Sequence, residues 1–162
     1  TLERPGEVQF YPYLSGERTP HNDADLRGGF AGLSRATDRK AMTRAVLQGV
    51  SFGLRDSYEA IRATGGDVRE MYAIGGGAAS AYWVKLLATV LNTPLRCPRR
   101  GETGAALGAA RLAMVATGRD ATAVMTPPAE FDVVEPEADL VEVFDDAYRK
   151  FRAGFAALKA LQ

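Results

Sequence analysis

Cysteine and histidine are nearly absent: the 162-residue chain holds one of each, Cys97 and His21. No disulfide can close within the chain, and no cysteine–histidine metal cluster can form. That usage suits a reducing cytoplasm. Cys97 lies in a short apolar run and reads as a buried, inert thiol rather than a nucleophile. An excess of either charge is also missing, with 20 Lys and Arg against 20 Asp and Glu. A nucleic-acid partner would call for a basic excess to meet phosphates, and an anionic membrane surface would call for the same. The pairs Arg99-Arg100 and Asp145-Asp146 read as solvated local charge. No apolar run approaches the ~18–20 residues of a membrane span, and no signal peptide is visible. Internal repeats and low-complexity segments are absent. The sequence opens Thr-Leu-Glu-Arg-Pro without a methionine, which reads as a fragment or a processed chain.

What is present is ordinary globular material, with 46% hydrophobic and 25% charged residues. The length fits one domain with its own core. Residues 8–14 (VQFYPYL) are aromatic and strand-like, with Pro12 forcing an edge or turn at their end. Residues 15–29 form a loop rich in Gly, Pro, Asn and Asp, and loops of that length tend to carry function or to be disordered. A short strand is expected over 30–33. The periodicity of Met42, Val46, Val50, Leu54, Tyr58 and Ile61 predicts a helix over 38–64, capped by Thr37 or Asp38 and ended by Gly65-Gly66. Gly49 and Gly53 lie one turn apart inside it and imply close packing against a neighbour.

A strand is expected over 70–74 (EMYAI), followed by three glycines and a helix from Ser80 to about Leu91. Asn92-Thr93-Pro94 stops that helix, and residues 95–97 read as a short strand. A basic turn then leads into a helix running from Glu102 or Thr103 to Thr117, closed by Gly118; Gly104 and Gly108 on one face would allow a very close helix contact. Residues 119–138, with Pro127, Pro128 and Pro136, read as irregular. Residues 139–161 form an amphipathic helix whose stripe of Leu140, Phe144, Tyr148, Phe151, Phe155 and Leu158 belongs to a core or a domain interface. Alternating strands and helices imply an α/β layered domain.

Three segments could carry chemistry. The first is AIGGGAASAYW, residues 73–83, where a strand enters a glycine triplet and a helix leaves it. Amides at a helix N-terminus lack intrahelical acceptors and carry partial positive charge. Glycines let a ligand reach that backbone, so the turn could seat a phosphate or the face of a nucleotide. It is neither Gly-x-Gly-x-x-Gly nor a P-loop, which weakens a nicotinamide-dehydrogenase reading. On local grounds alone a tight turn without a ligand is the favoured reading over nucleotide binding. The second segment is GETGAALGAARLA, residues 101–113, where Glu102 could simply offset the helix dipole. The third is the loop YLSGERTPHND, residues 13–23, which groups Glu17, Arg18, His21 and Asp23. There Arg18 could hold an anion and His21 could titrate near neutrality.

Taken together and in this order, these segments resemble the xylulokinase branch of the FGGY carbohydrate kinases. The likeness rests on YLSGERTPHND, RGGFAGLS (27–34), RAVLQGVSFGL (44–54), GGGAASAYW (75–83) and GETGAALGAARLA, with Ala41 departing from a usually polar position. The resemblance implies an α/β, actin-like ATPase (ribonuclease H-like) domain, a mixed sheet packed by helices and lacking its first strands. It implies that residues 1–162 are the carboxy-terminal, nucleotide-side domain, with the catalytic aspartate in an amino-terminal domain outside this chain. ATP with magnesium (Mg2+) would lie in the cleft between the two domains, the metal held mainly by the other one. Gly76, Gly77 and Ala81 would lie beside the nucleotide, with Gly75, Ala78 and Ser80 completing the turn. The implied reaction is ATP-dependent phosphorylation of D-xylulose to D-xylulose 5-phosphate by the full-length enzyme, the fragment alone being inactive. The alternative is a non-catalytic actin-like module that senses nucleotide or sugar. Partners would be the amino-terminal kinase domain, ATP and the sugar, with no nucleic acid and no membrane. A bare sheet edge would also invite a homodimer.

Overall fold

The computed structural model describes residues 1–99, 104–127 and 129–160. Strand β1 (Gln9–Tyr11) pairs antiparallel with β2 (Gly29–Ala31), Phe10 opposite Phe30. Both are shorter than the residue pattern suggests. Pro12 has no amide hydrogen to continue the ladder beyond Tyr11. The intervening loop closes on itself, Glu17 and Asp23 exchanging backbone hydrogen bonds of 2.8 and 2.7 Å. Ser57 Oγ donates to the Thr19 carbonyl at 2.9 Å and ties the loop to the helix that follows.

That helix, α1 (Arg39–Ala63), starts where Asp38 accepts a 2.7 Å bond from the Ala41 amide. It ends at Thr64 with Gly65 in the left-handed region. A β-carbon built on Gly49 would lie 1.9 Å from the Phe10 carbonyl oxygen, so β1 presses directly on the helix there. At Gly53 the contact is ordinary, 3.5 Å from Pro12, so only the first of the two glycines is demanded by packing. The face that α1 buries is made of Ala45, Gln48, Gly49, Ser51, Phe52 and Asp56. The apolar stripe expected from periodicity is only partly covered, and Met42, Leu54 and Ile61 lie at the surface. Where α1 meets β1 it presents the small residues Ala45 and Gly49, which allow the closer backbone approach.

Residues 71–73 run extended but make a single parallel bridge, Tyr72 to Arg96. The Arg96 amide donates to the Met71 carbonyl and the Ala73 amide to the Arg96 carbonyl, each at 2.9 Å. The strand expected over 70–74 is therefore cut to one bridge for want of a longer partner. Next come a 3-10 turn (Gly76–Ala79), α2 (Ala81–Leu91) and β3 (Leu95–Pro98). Strand β3 pairs antiparallel with β4 (Phe131–Val134). This corrects the irregular reading of residues 119–138: the prolines flank a strand, and a short helix, α4 (Ala121–Val124), precedes it under an Asp120 cap. Pro128 lies outside the described residues. In β4, Phe131 is held by the Arg96 guanidinium, 4.3 Å from its ring centre.

Helix α3 (Ala105–Ala116) ends before Gly118 in the left-handed region. Its expected start at Glu102 or Thr103, and the basic turn through Arg100 and Gly101, lie outside the described residues. No residue of α3 is buried. β-carbons built on Gly104 and Gly108 would meet nothing within 4 Å, so among the described residues the close helix contact expected there does not occur.

The core gathers around α5 (Ala138–Ala160). Phe144, Tyr148 and Phe151 are buried with Tyr11, Tyr13, Leu26, Phe52, Leu86 and Val90, while Leu140, Phe155 and Leu158 pack at the margin. The Tyr11 and Phe151 rings stack at 4.9 Å. The expected final residue of this helix, Leu161, lies outside the described residues. The result is an α/β domain whose sheet component, among the described residues, is two separate two-stranded pieces packed with α1, α2 and α5. Among the described residues no helix is long and apolar enough to cross a membrane.

Candidate nucleotide site

The glycine turn is built by its neighbours on both sides. Gly75, with φ +83°, turns the chain out of the extended segment. The Ala78 amide then donates to the Gly75 carbonyl at 3.1 Å and the Ser80 amide to the Gly77 carbonyl at 3.0 Å, closing the 3-10 turn. Ser80 caps α2, its Oγ accepting from the Trp83 amide at 3.3 Å. Among the described residues, the amides of Gly76, Gly77, Ala81 and Tyr82 have no backbone acceptor. They are the donors that a bound anion or a ribose–phosphate edge would use.

The glycines differ in what each does. β-carbons on Gly75 and Gly76 would meet nothing within 4 Å, so the outer surface of the turn is open. A β-carbon on Gly77 would fall 2.0 Å from the Trp83 ring, so this glycine makes room for an indole rather than for a ligand. The indole Nε1–H donates to Ser51 Oγ at 3.1 Å and anchors the turn to α1. Gly75, Gly76, Ser80 and Ala81 are exposed, and Gly77 and Ala78 are half-buried. Ala81 offers only a methyl group beside the free amides. No carboxylate belongs to the turn, and among the described residues no group of three or more His, Cys, Asp or Glu is arranged to hold a metal. The open amides suit an anionic group such as a nucleotide phosphate, and among the described residues the turn offers no carboxylate to a magnesium ion.

The loop from Tyr13 to Asp23 builds a second polar cluster, and Asp56 of α1 stands at its centre. The Asp56 carboxylate accepts from Tyr148 Oη at 2.5 Å, with Arg152 Nε at 3.5 Å and His21 Nε2 at 3.9 Å. His21 stacks on Phe155 at 4.0 Å. Burial, and then the hydrogen bond to Asp56, push the Tyr148 phenol well above its ordinary range, and burial does the same to Tyr13. Of the four loop residues singled out in the sequence, only His21 joins this cluster. Asp23 instead pairs with Lys159 at 2.9 Å, and Glu17 accepts from the His21 amide at 2.8 Å. Asp56 and Tyr148 lie far along the chain, and helical periodicity flagged only Tyr148, as core. The candidate helix start at residues 101–103 lies outside the described residues, so that segment contributes nothing to the site described. Cys97 is partly buried, and burial raises its thiol pKa, as an inert thiol requires.

Comparison with known proteins fixes the family. Residues 2–117 match the FGGY family of carbohydrate kinases, C-terminal domain. The xylulose kinase of Escherichia coli K12 is 41% identical over 121 residues, covering 75% of this chain and 25% of the relative. A xylulose kinase of Staphylococcus epidermidis is 34% identical over 155 residues, covering 94% of this chain and 31% of the relative. The crystal structure of a xyloylose kinase from Brucella ovis superposes with a TM-score of 0.90 at 48% identity, covering 100% of this chain and 34% of that one. The chain thus spans a quarter to a third of the length of these relatives. The actin-like ATPase fold expected from the sequence holds. The chain belongs to the FGGY family of carbohydrate kinases, in its xylulokinase branch, and matches the C-terminal domain.

Proposed function

We propose that this chain is the nucleotide-side domain of a cytoplasmic sugar kinase that phosphorylates D-xylulose with ATP. The observation that carries the reading is the open turn at Gly75 and Gly76, with four amides lacking backbone acceptors at the mouth of α2. Gly76, Gly77 and Ala81 would offer their amides to the nucleotide, and Gly75, Ala78 and Ser80 would hold the turn in shape. Since Ala81 has no polar side chain, contacts to the base would come from backbone or from other residues. Sugar phosphorylation requires a base to take the proton of the attacking hydroxyl as its oxygen bonds to the γ-phosphorus. The bond from that phosphorus to the β-phosphate bridging oxygen then breaks and ADP leaves. Such transfer is mainly positioning and charge stabilisation in a closed cleft. In this reading the base, the metal ligands and most sugar contacts belong to an amino-terminal domain, so the present chain binds nucleotide without turning over.

The test pairs two measurements. Calorimetric titration of this chain with ATP should give saturable binding that Gly76→Val abolishes. That side chain would project into open space and leave the fold intact. The full-length parent should phosphorylate D-xylulose in preference to ribulose and glycerol. Failure of the parent to phosphorylate any ketose or polyol would refute the kinase reading and favour a sensing module. ATP binding unaffected by Gly76→Val would move the nucleotide away from this turn.

A further inference from the structure

A cavity of about 320 Å3 lies where the segment before β1 crosses α1 and α5, sharing no residue with the glycine turn. Its inner wall carries Gln48, which is 3% exposed. The Gln48 Oε1 accepts only a long 3.4 Å bond from the Gly6 amide, and its Nε2 is buried with no partner. A buried donor without an acceptor is destabilising, so such groups normally face a water or a ligand. Loose packing does not account for the space, because β1 and α1 are in tight contact at neighbouring Gly49.

The mouth of the cavity is charged. Arg4, Glu7, Asp146 and Lys150 line it. Asp146 is taken by Arg149. Among the described residues, no ion pair engages Arg4, Glu7 or Lys150. Two uncommitted cations, one uncommitted carboxylate and one inward amide donor form a mixed set. It fits a molecule with an anionic end for Arg4 and Lys150 and hydroxyls that can donate to Glu7. An oxygen on the same molecule would accept from Gln48 Nε2. The volume matches the lower end of small-molecule pockets, about 300–1,000 Å3.

We propose that this cavity is a binding site for a small polyhydroxylated anion, a sugar phosphate or a sugar acid. A ligand there joins the segment at residues 4–7 to both long helices, so its binding stiffens the domain away from the nucleotide turn. The proposal does not depend on the reading of that turn. The test is calorimetric titration of the protein with glycerol 3-phosphate, D-gluconate, inorganic phosphate and glycerol. Saturable binding of glycerol 3-phosphate alone identifies the phosphate ester, and of gluconate alone the carboxylate; either supports the site. Lys150→Glu, on an exposed residue, should raise Kd about tenfold, a shift of ~1.4 kcal/mol, without changing the melting temperature. Gln48→Leu should raise Kd to a similar extent. Glycerol binding as tightly as the anions, or affinity unchanged in both variants, overturns the proposal. So does a complete lack of saturable binding, or a crystal grown with either anion that holds only ordered water on Gln48.

Discussion

Helices α3 and α5 are both rich in apolar residues, yet one is the centre of the core and the other buries nothing. In α5, Phe144 and Phe151 are fully shielded, whereas in α3 Leu112 remains 63% exposed. The difference lies in what surrounds them. α5 meets α1, α2 and β1, while the one substantial contact of α3 among the described residues is with the short α4. An apolar face of this kind is as characteristic of a surface meant for another domain as of a core. The contrast agrees with a chain that spans about a third of the length of its solved relative. The same division runs through α1, where small residues are packed against β1 and Leu54 and Ile61 face outward.

The sharpest way to break this comparison is to truncate the packed side. Phe151→Ala should cost about 3–5 kcal/mol in chemical denaturation, and a loss below 1 kcal/mol would mean that α5 is not the core. Gly49→Ala drives a methyl group into the Phe10 carbonyl and should cost ~1–3 kcal/mol or more. Tyr148→Phe leaves the buried Asp56 carboxylate short of a donor and should cost about 1–3 kcal/mol. It also tests the alkaline limb. The raised phenol pKa of Tyr148 contributes stability that is complete below about pH 10. That contribution is lost as pH rises through the folded-state titration. Melting temperatures of the native chain should therefore fall more steeply above pH 10 than those of Tyr148→Phe. On the open side the sign reverses. Gly108→Ala meets no neighbour and should stabilise α3 by roughly 0.5–1 kcal/mol through helix propensity. Leu112→Ala, last and smallest, should change stability by less than about 0.5 kcal/mol.

Much of the architecture was legible because it is written in local chemistry. Asp38 and Ser80 as caps, the helix stop at Asn92-Thr93-Pro94 and the aromatic stripe of α5 all follow from neighbouring residues alone. The misses are those that depend on distant partners. Strand β4 was hidden among prolines because its reason for existing is β3, more than thirty residues earlier. The segment at residues 70–74 has strand residues but only Arg96 to pair with. At the site, the glycine triplet was readable as a turn, but not that Gly77 serves an indole while Gly75 and Gly76 stay clear. Asp56 and Gln48 gave no signal at all, since a polar residue on a helix declares its burial only once its neighbours are placed.

The placement of Trp83 has a practical consequence. It is the sole tryptophan of the chain, with its ring against Gly77 and its nitrogen on Ser51. Excited selectively at its indole, this domain therefore emits from one position, directly beneath the turn. Any molecule settling on Gly76 should alter that emission, giving an optical titration that needs neither label nor activity.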